Sequence, residues 1–120
     1  WTVSRMPVLQ LTTTGRRTGH PRSVMLTSPH LENGMLVIVA SKGGEDKHPA
    51  WFLNLLENPQ VVVTVQGRVA RTMVARVAST QERTELWPLV IGNHPNYASY
   101  QARTEREIPL ITLEPFEESL

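Results

Sequence analysis

The sequence predicts an α+β fold, a mostly antiparallel split β-barrel with two or three peripheral helices. Three observations carry this. Short alternating apolar runs dominate the first forty residues. Glycine turns join these runs, and hairpin connection means antiparallel pairing. Helical spacing begins only after Pro49, so the regular strand–helix alternation of a doubly wound sheet is missing from the start of the chain. A small antiparallel barrel that protects its strand edges, with helices outside, satisfies this order.

The elements follow in turn. Leu9, Leu11 and Thr13 alternate with Gln10 and Thr12 and form a first strand, which Gly15 breaks. Gly15-Arg16-Arg17-Thr18-Gly19 reads as a hairpin turn, because glycine tolerates positive φ. A second strand covers Arg22–Ser28, and Asn33-Gly34 is a two-residue hairpin signal. Met35–Ala40 is apolar on both faces, as a buried central strand requires. After the loop Ser41-Lys42-Gly43-Gly44, Pro49 opens a helix with Trp51, Phe52, Leu55 and Leu56 on one face, and Asn58-Pro59 ends it. Val61, Val63 and Val65 mark a half-buried strand, and Gly67 turns the chain into a strand over Val69–Val77. Ser79 with Glu82 is a capping box. The helix it starts presents Leu86, Trp87, Leu89 and Val90. His94-Pro95-Asn96 interrupts this helix, a short one covers Tyr97–Arg103, and Pro109 leads into a last strand, Leu110–Leu113. The chain is expected to be one domain over 1–120, with an acidic tail fraying over 114–120. It opens on Trp1-Thr2-Val3 without a methionine, which suggests a trimmed start.

Composition narrows the function. There is no cysteine, so disulfides and thiolate chemistry are excluded. The formal net charge is only +1, but it is unevenly spread. Residues 1–76 hold 9 Lys and Arg against 4 Asp and Glu, whereas 77–120 hold 3 against 7. A basic first part favours an anionic ligand there. The near-neutral balance and the lack of a long basic run argue against nucleic acid. No apolar run approaches the ~20 residues that span a bilayer.

Four places could carry chemistry. Arg16, Arg17 and Arg22 around Gly15 and Gly19 are either a solvated hairpin tip or forks for a phosphate or carboxylate. Ser41-Lys42-Gly43-Gly44 is either an ordinary glycine loop or a place where consecutive N–H groups converge on an anion. The helix start near His48-Pro49 favours anions, with Trp51 and Phe52 as core or as a cofactor platform. Tyr97 and Tyr100 share one helix face after His94 and either pack or meet a ring and a substrate. The histidines show no metal-ligand spacing, and no nucleophile elbow is present. Anion sites and aromatic rings without a self-sufficient catalytic group suit a protein that borrows its chemistry from a cofactor.

Leu11–Gly19 with Pro21-Arg22, Ala40–Gly44, Pro49 with Trp51–Leu55, Asn58-Pro59, Trp87-Pro88, His94–Tyr97, Tyr100 and Arg106 to Pro109 together resemble the deazaflavin (F420)-dependent nitroreductase and F420H2-dependent quinone reductase family. The resemblance covers about Leu9 to Pro115. It implies a split barrel that binds coenzyme F420, an 8-hydroxy-5-deazaflavin with a phosphate and an oligoglutamate tail. It implies hydride transfer to an electrophilic acceptor, with quinones ahead of enones and nitroaromatics. By this resemblance Arg16, Arg17 and Thr18 meet the anionic tail, and Arg22, Ser23, Val24, Met25, Leu26 and Thr27 flank the coenzyme. Val39, Ala40, Ser41 and Lys42 form the strand end and phosphate loop. Ala50, Trp51, Phe52, Leu53 and Asn54 lie against the ring, as does Tyr97. Tyr97, Tyr100 and His94 are the candidates for positioning substrate. Nitroimidazole-activating relatives place a tyrosine at the position of His94 and an aromatic residue at that of Thr27, so this chain departs from them at both.

The expected partners are a small electrophile and a separate enzyme that reduces the coenzyme, with no metal and a monomer slightly favoured. The expected place is the cytoplasm, or its membrane periphery through a segment preceding Trp1. The rival readings are a flavin mononucleotide oxidoreductase of the same barrel type and a non-catalytic coenzyme-binding module.

Overall fold

The computed structural model describes residues 2–3 and 6–116. The strands are β1 (Thr2–Val3), β2 (Met6–Thr14), β3 (Pro21–Thr27), β4 (His30–Glu32), β5 (Met35–Val39), β6 (Gln60–Val65), β7 (Arg71–Val77) and β8 (Leu110–Pro115). The helices are α1 (Ala50–Glu57), α2 (Thr80–Asn93) and α3 (Asn96–Ala102), with a 3-10 turn over Lys42–Gly44. The strands hydrogen-bond in the order β1-β2-β6-β7-β8-β5-β4, and β3 attaches to β2. Every pairing is antiparallel. The sheet curls into a half-barrel, the split antiparallel barrel the hairpin pattern predicts.

Local chemistry explains the boundaries. Asn33 and Gly34 have φ of 49° and 81°, the paired left-handed residues that join β4 to β5 with the right twist. The Ser79 hydroxyl accepts from the Glu82 N–H at 3.2 Å, and the Glu82 carboxylate accepts from the Ser79 N–H at 2.8 Å, completing the capping box. Pro49 stands just outside α1, one position earlier than a first helical residue, and Asn58 closes that helix.

β5 separates two cores, which is why its sequence is apolar on both faces. Leu36, Ile38 and Ala40 face the barrel interior with Leu9, Leu11, Val61, Val63, Met73, Ala75 and the α1 residues Phe52 and Leu55. Val37 and Val39 face outward, under Leu86 and Val90 of α2, Tyr97 of α3, Ile108 and Leu110. Burying side chains of this size contributes roughly 1.5–3 kcal/mol each.

Several boundaries differ from the sequence reading. β4, three residues long, brings the strand count above six. β7 starts at Arg71, leaving Val69 82 % exposed at the hairpin tip. Leu89 is exposed, because α2 contacts the sheet through the i,i+4 pair Leu86 and Val90. Glu114 and Pro115 extend β8, where Arg76 bonds the Glu114 carboxylate at 3.0 Å. The rest of the expected frayed tail, 117–120, lies outside the described residues.

Candidate functional site

Among the described residues β3 has one hydrogen-bonded neighbour, β2, and no strand pairs with its other edge. The Gly15 N–H donates to the His20 carbonyl and the Ser28 N–H to the Pro7 carbonyl. Antiparallel pairs alternate, so Arg22, Val24 and Leu26 exchange bonds with β2. The main-chain groups of Ser23, Met25 and Thr27 therefore point away from the sheet.

Two cavities run along this edge. The first, about 400 Å³, lies between the Gly15–Thr18 turn, Arg22–Val24 of β3, and Ala50, Trp51 and Asn54 of α1. The second, about 500 Å³, is walled by Met25–Thr27, the end of β5, Ser41–Gly43, Trp51, and Asn96, Tyr97 and Tyr100 of α3. Trp51 lines both, so the cavities adjoin and together make a groove along β3 with a basic end and a tyrosine end. The combined size lies within the range of small-molecule sites.

At the basic end, Asn54 fixes the turn. Its buried amide accepts from the Arg16 N–H at 3.2 Å and the Arg16 Nη1 at 2.9 Å, and donates to the Thr13 hydroxyl at 3.2 Å. One donor of the Arg16 fork is thus engaged within the protein. Arg17 and Arg22 are exposed and form no ion pair among the described residues.

In the second cavity, the loop after β5 contributes Ser41–Gly43 to the wall. Ser41 is right-handed helical at φ −77° and ψ −38°, and Lys42 is left-handed at φ 45°. That succession turns neighbouring N–H groups into one concavity, a backbone nest. Lys42 pays for a φ that L-residues avoid, roughly 1 kcal/mol. Its ammonium pairs with Glu45 at 3.5 Å, both side chains largely exposed. Gly44 follows at φ 84°, and a Cβ there would sit 2.6 Å from the Tyr100 carbonyl oxygen. The loop and α3 therefore touch backbone to backbone, which only glycine permits.

At the far end, the Tyr97 and Thr27 hydroxyls lie 3.4 Å apart. Tyr97 is buried, and its ring meets Tyr100 and His94 edge-on at 5.9 and 6.4 Å between centroids. Burial raises the Tyr97 pKa, the Tyr100 hydroxyl adds to this, and the Thr27 hydrogen bond opposes it. The phenol stays protonated at neutral pH and is a donor rather than a base.

The structure brings together most of the residues singled out from sequence. Arg16, Arg17, Thr18, Arg22, Ser23, Val24, Met25, Leu26, Thr27, Val39, Ser41, Lys42, Ala50, Trp51, Asn54, Tyr97 and Tyr100 all line the groove. Four others lie outside its lining. Phe52 is buried in the barrel core with its ring 4.8 Å from that of His48, and Leu53 packs against the same core. Ala40 is fully buried, and His94 touches the groove only through the Tyr97 ring. Gly15, Gly43 and Pro49, named from sequence only as parts of candidate turns and a helix start, also line the groove, and Val8, Ile38 and Asn96 line it without having been singled out. Val8 was legible in principle, since hairpin register sets it opposite Thr27. Among the described residues no group of three or more His, Asp or Glu is placed to hold a metal, and no helix is long and apolar enough to cross a membrane.

Residues 1–115 match the family of F420H(2)-dependent quinone reductases. An F420H(2)-dependent quinone reductase of Mycobacterium tuberculosis (strain ATCC 25618 / H37Rv) is 38 % identical over 109 residues, covering 89 % of this chain and 72 % of that protein. A solved F420-H2 dependent reductase superposes with a TM-score of 0.79 at 40 % identity, covering 90 % of this chain and 94 % of the other. A second solved structure, described as a domain-swapped dimer, gives a TM-score of 0.81 at 41 % identity, covering 90 % and 80 %. On this agreement of sequence, fold and groove, the chain belongs to the F420H(2)-dependent quinone reductase family, oxidoreductases whose coenzyme is F420.

Proposed function

We propose that the groove along β3 seats F420 and that the chain reduces a quinone at the tyrosine end. The single observation that carries this is the set of chemistries brought together in two adjoining cavities along β3. Arginines without an ion pair among the described residues line one, and a backbone nest with Lys42 and a buried phenol share the other. A coenzyme with a carboxylate-bearing tail, a phosphate and a planar ring fits these three.

When bound and reduced, F420 supplies a hydride to an electrophilic carbon. Arg17, Arg22 and the free part of the Arg16 fork bind the tail carboxylates, where planar forks match carboxylate oxygens. The Ser41–Gly43 backbone and the Lys42 ammonium hold the phosphate, with Lys42 exchanging Glu45 for it. Trp51, central to both cavities, and the outward main-chain groups of Ser23, Met25 and Thr27 orient the ring. The Tyr97 Oη–H donates to the acceptor oxygen on which negative charge develops, while Thr27 Oγ1 can donate to Tyr97 in turn. Tyr100 walls the same end.

The coenzyme is reduced by a separate enzyme on this reading, as the family's use of F420H2 as a substrate-like reductant implies. The test is steady turnover: purified protein, reduced F420 and a soluble quinone, followed by the return of the oxidised coenzyme's absorbance. Turnover above the protein-free rate supports the reading. Tight coenzyme binding with no turnover on any quinone, enone or nitroaromatic leaves a binding module instead.

A further inference from the structure

Arg106 lies between α3 and β8 and lines neither cavity of the groove. Its guanidinium nevertheless reaches the rear of the nest loop. Nε donates to the Glu45 carbonyl at 2.8 Å and Nη2 to the Ser41 carbonyl at 2.9 Å. Both terminal nitrogens donate to the Ala40 carbonyl at 3.3 Å. Nη1 also faces His48 Nδ1 at 3.1 Å. Arg103 adds a longer bond to the Gly43 carbonyl at 3.4 Å.

We infer that Arg106 is a positioning residue for the coenzyme's phosphate, holding the loop's carbonyls behind it so that its N–H groups face the groove. The inference rests on the coenzyme reading above. Its physical basis is the planar trans peptide, in which the carbonyl of one residue and the N–H of the next point in opposite directions. A guanidinium that captures the Ala40 carbonyl from the rear sets the Ser41 N–H toward the front. Capture of the Ser41 carbonyl does the same for the Lys42 N–H. Ser41 and Lys42 line the groove, and Arg106 does not. The fork also explains how Lys42 is kept at positive φ, since relaxing that angle would rotate the flanking peptides away from it. Lysine cannot substitute, because one ammonium lacks the planar spread of donors that these acceptors require.

The test separates phosphate binding from ring binding. Wild type, Arg106→Lys and Arg106→Gln are titrated with F420 and with its deazaflavin chromophore fragment, which lacks phosphate and tail. Far-ultraviolet circular dichroism is recorded alongside. Both variants are expected to lose about 10- to 100-fold in F420 affinity, the scale of lost charge-assisted hydrogen bonds. Fragment affinity should stay within about threefold, because ring contacts are untouched. Equal loss for both ligands, or no loss for F420, overturns the positioning role. So does failure of both variants to keep the wild-type spectrum, which would make Arg106 a folding residue. Wild type binding the fragment as tightly as F420 would instead overturn the coenzyme reading itself, and the Arg106 role with it.

Discussion

The groove face and the α2 face of this protein use the same cationic side chain in opposite ways. On the α2 face, Arg76 bonds both oxygens of Glu82, at 2.6 and 2.8 Å, and reaches Glu114. Arg83 pairs with Glu107 at 3.0 Å, covers the Trp87 ring and donates to the Ile108 carbonyl. These cations are satisfied internally and hold helix to sheet. On the groove face, Arg17 and Arg22 have no carboxylate partner among the described residues, and Lys42 has only an exposed one. Charge alone therefore does not mark a ligand site; the mark we propose is charge left unpaired beside a concave surface.

Mutations on the two faces should have different effects. The largest effect is expected at the tyrosine end. Tyr97→Phe should leave F420 affinity within a few fold and lower quinone turnover by about 3 kcal/mol of barrier, the worth of one preorganised donor. If Phe keeps full turnover while Tyr97→Ala loses it, Tyr97 acts by packing. Next, Lys42→Ala should weaken F420 binding by about 1–3 kcal/mol at low salt, and by less at high salt because the ammonium is exposed. Wild-type affinity in that variant would make the loop structural only. On the opposite face, Arg76→Ala should leave F420 affinity unchanged and reduce unfolding free energy by about 1 kcal/mol at most, since these ion pairs are partly solvated. A change in coenzyme affinity there would erase the distinction between the faces.

The smallest effect is a pH dependence confined to the α2 face. Hydrogen bonds from Arg76 and the Ser79 N–H hold the Glu82 carboxyl at about 2, below its ordinary 4.5. A depressed carboxyl contributes stability that is present above its unfolded value and lost as pH falls through its folded one. Thermal melting should therefore show this contribution intact above about pH 4.5 and declining toward pH 2, with the decline smaller in Glu82→Gln. An equal decline in that variant would assign the acid sensitivity elsewhere.

Much of this was legible in the sequence because it is locally encoded. The Asn33-Gly34 turn, the capping box at Ser79 and the two-faced apolar strand each sit within a few residues of their cause. The nest loop and the basic turn were legible only as alternatives, because no local pattern shows which of their cations find a carboxylate partner. What escaped depends on distant contacts. Arg16 is partly held by Asn54, 38 positions away, and Arg106 reaches Ala40 across 66. Phe52 and Trp51 are adjacent on α1, and no local pattern says which one faces the core. The barrel decides, burying Phe52 and leaving Trp51 in the groove.

The proposed coenzyme site assigns the groove's unpaired cations to a phosphate and a carboxylate-bearing tail. Its most direct measurement is a parallel titration of the ligand-free protein with oxidised F420 and with flavin mononucleotide at low and high salt. F420 is expected to bind at least about tenfold more tightly, and raising salt to narrow the gap by weakening F420 more. Flavin mononucleotide binding as tightly as F420 or more so, or a gap indifferent to salt, would contradict it.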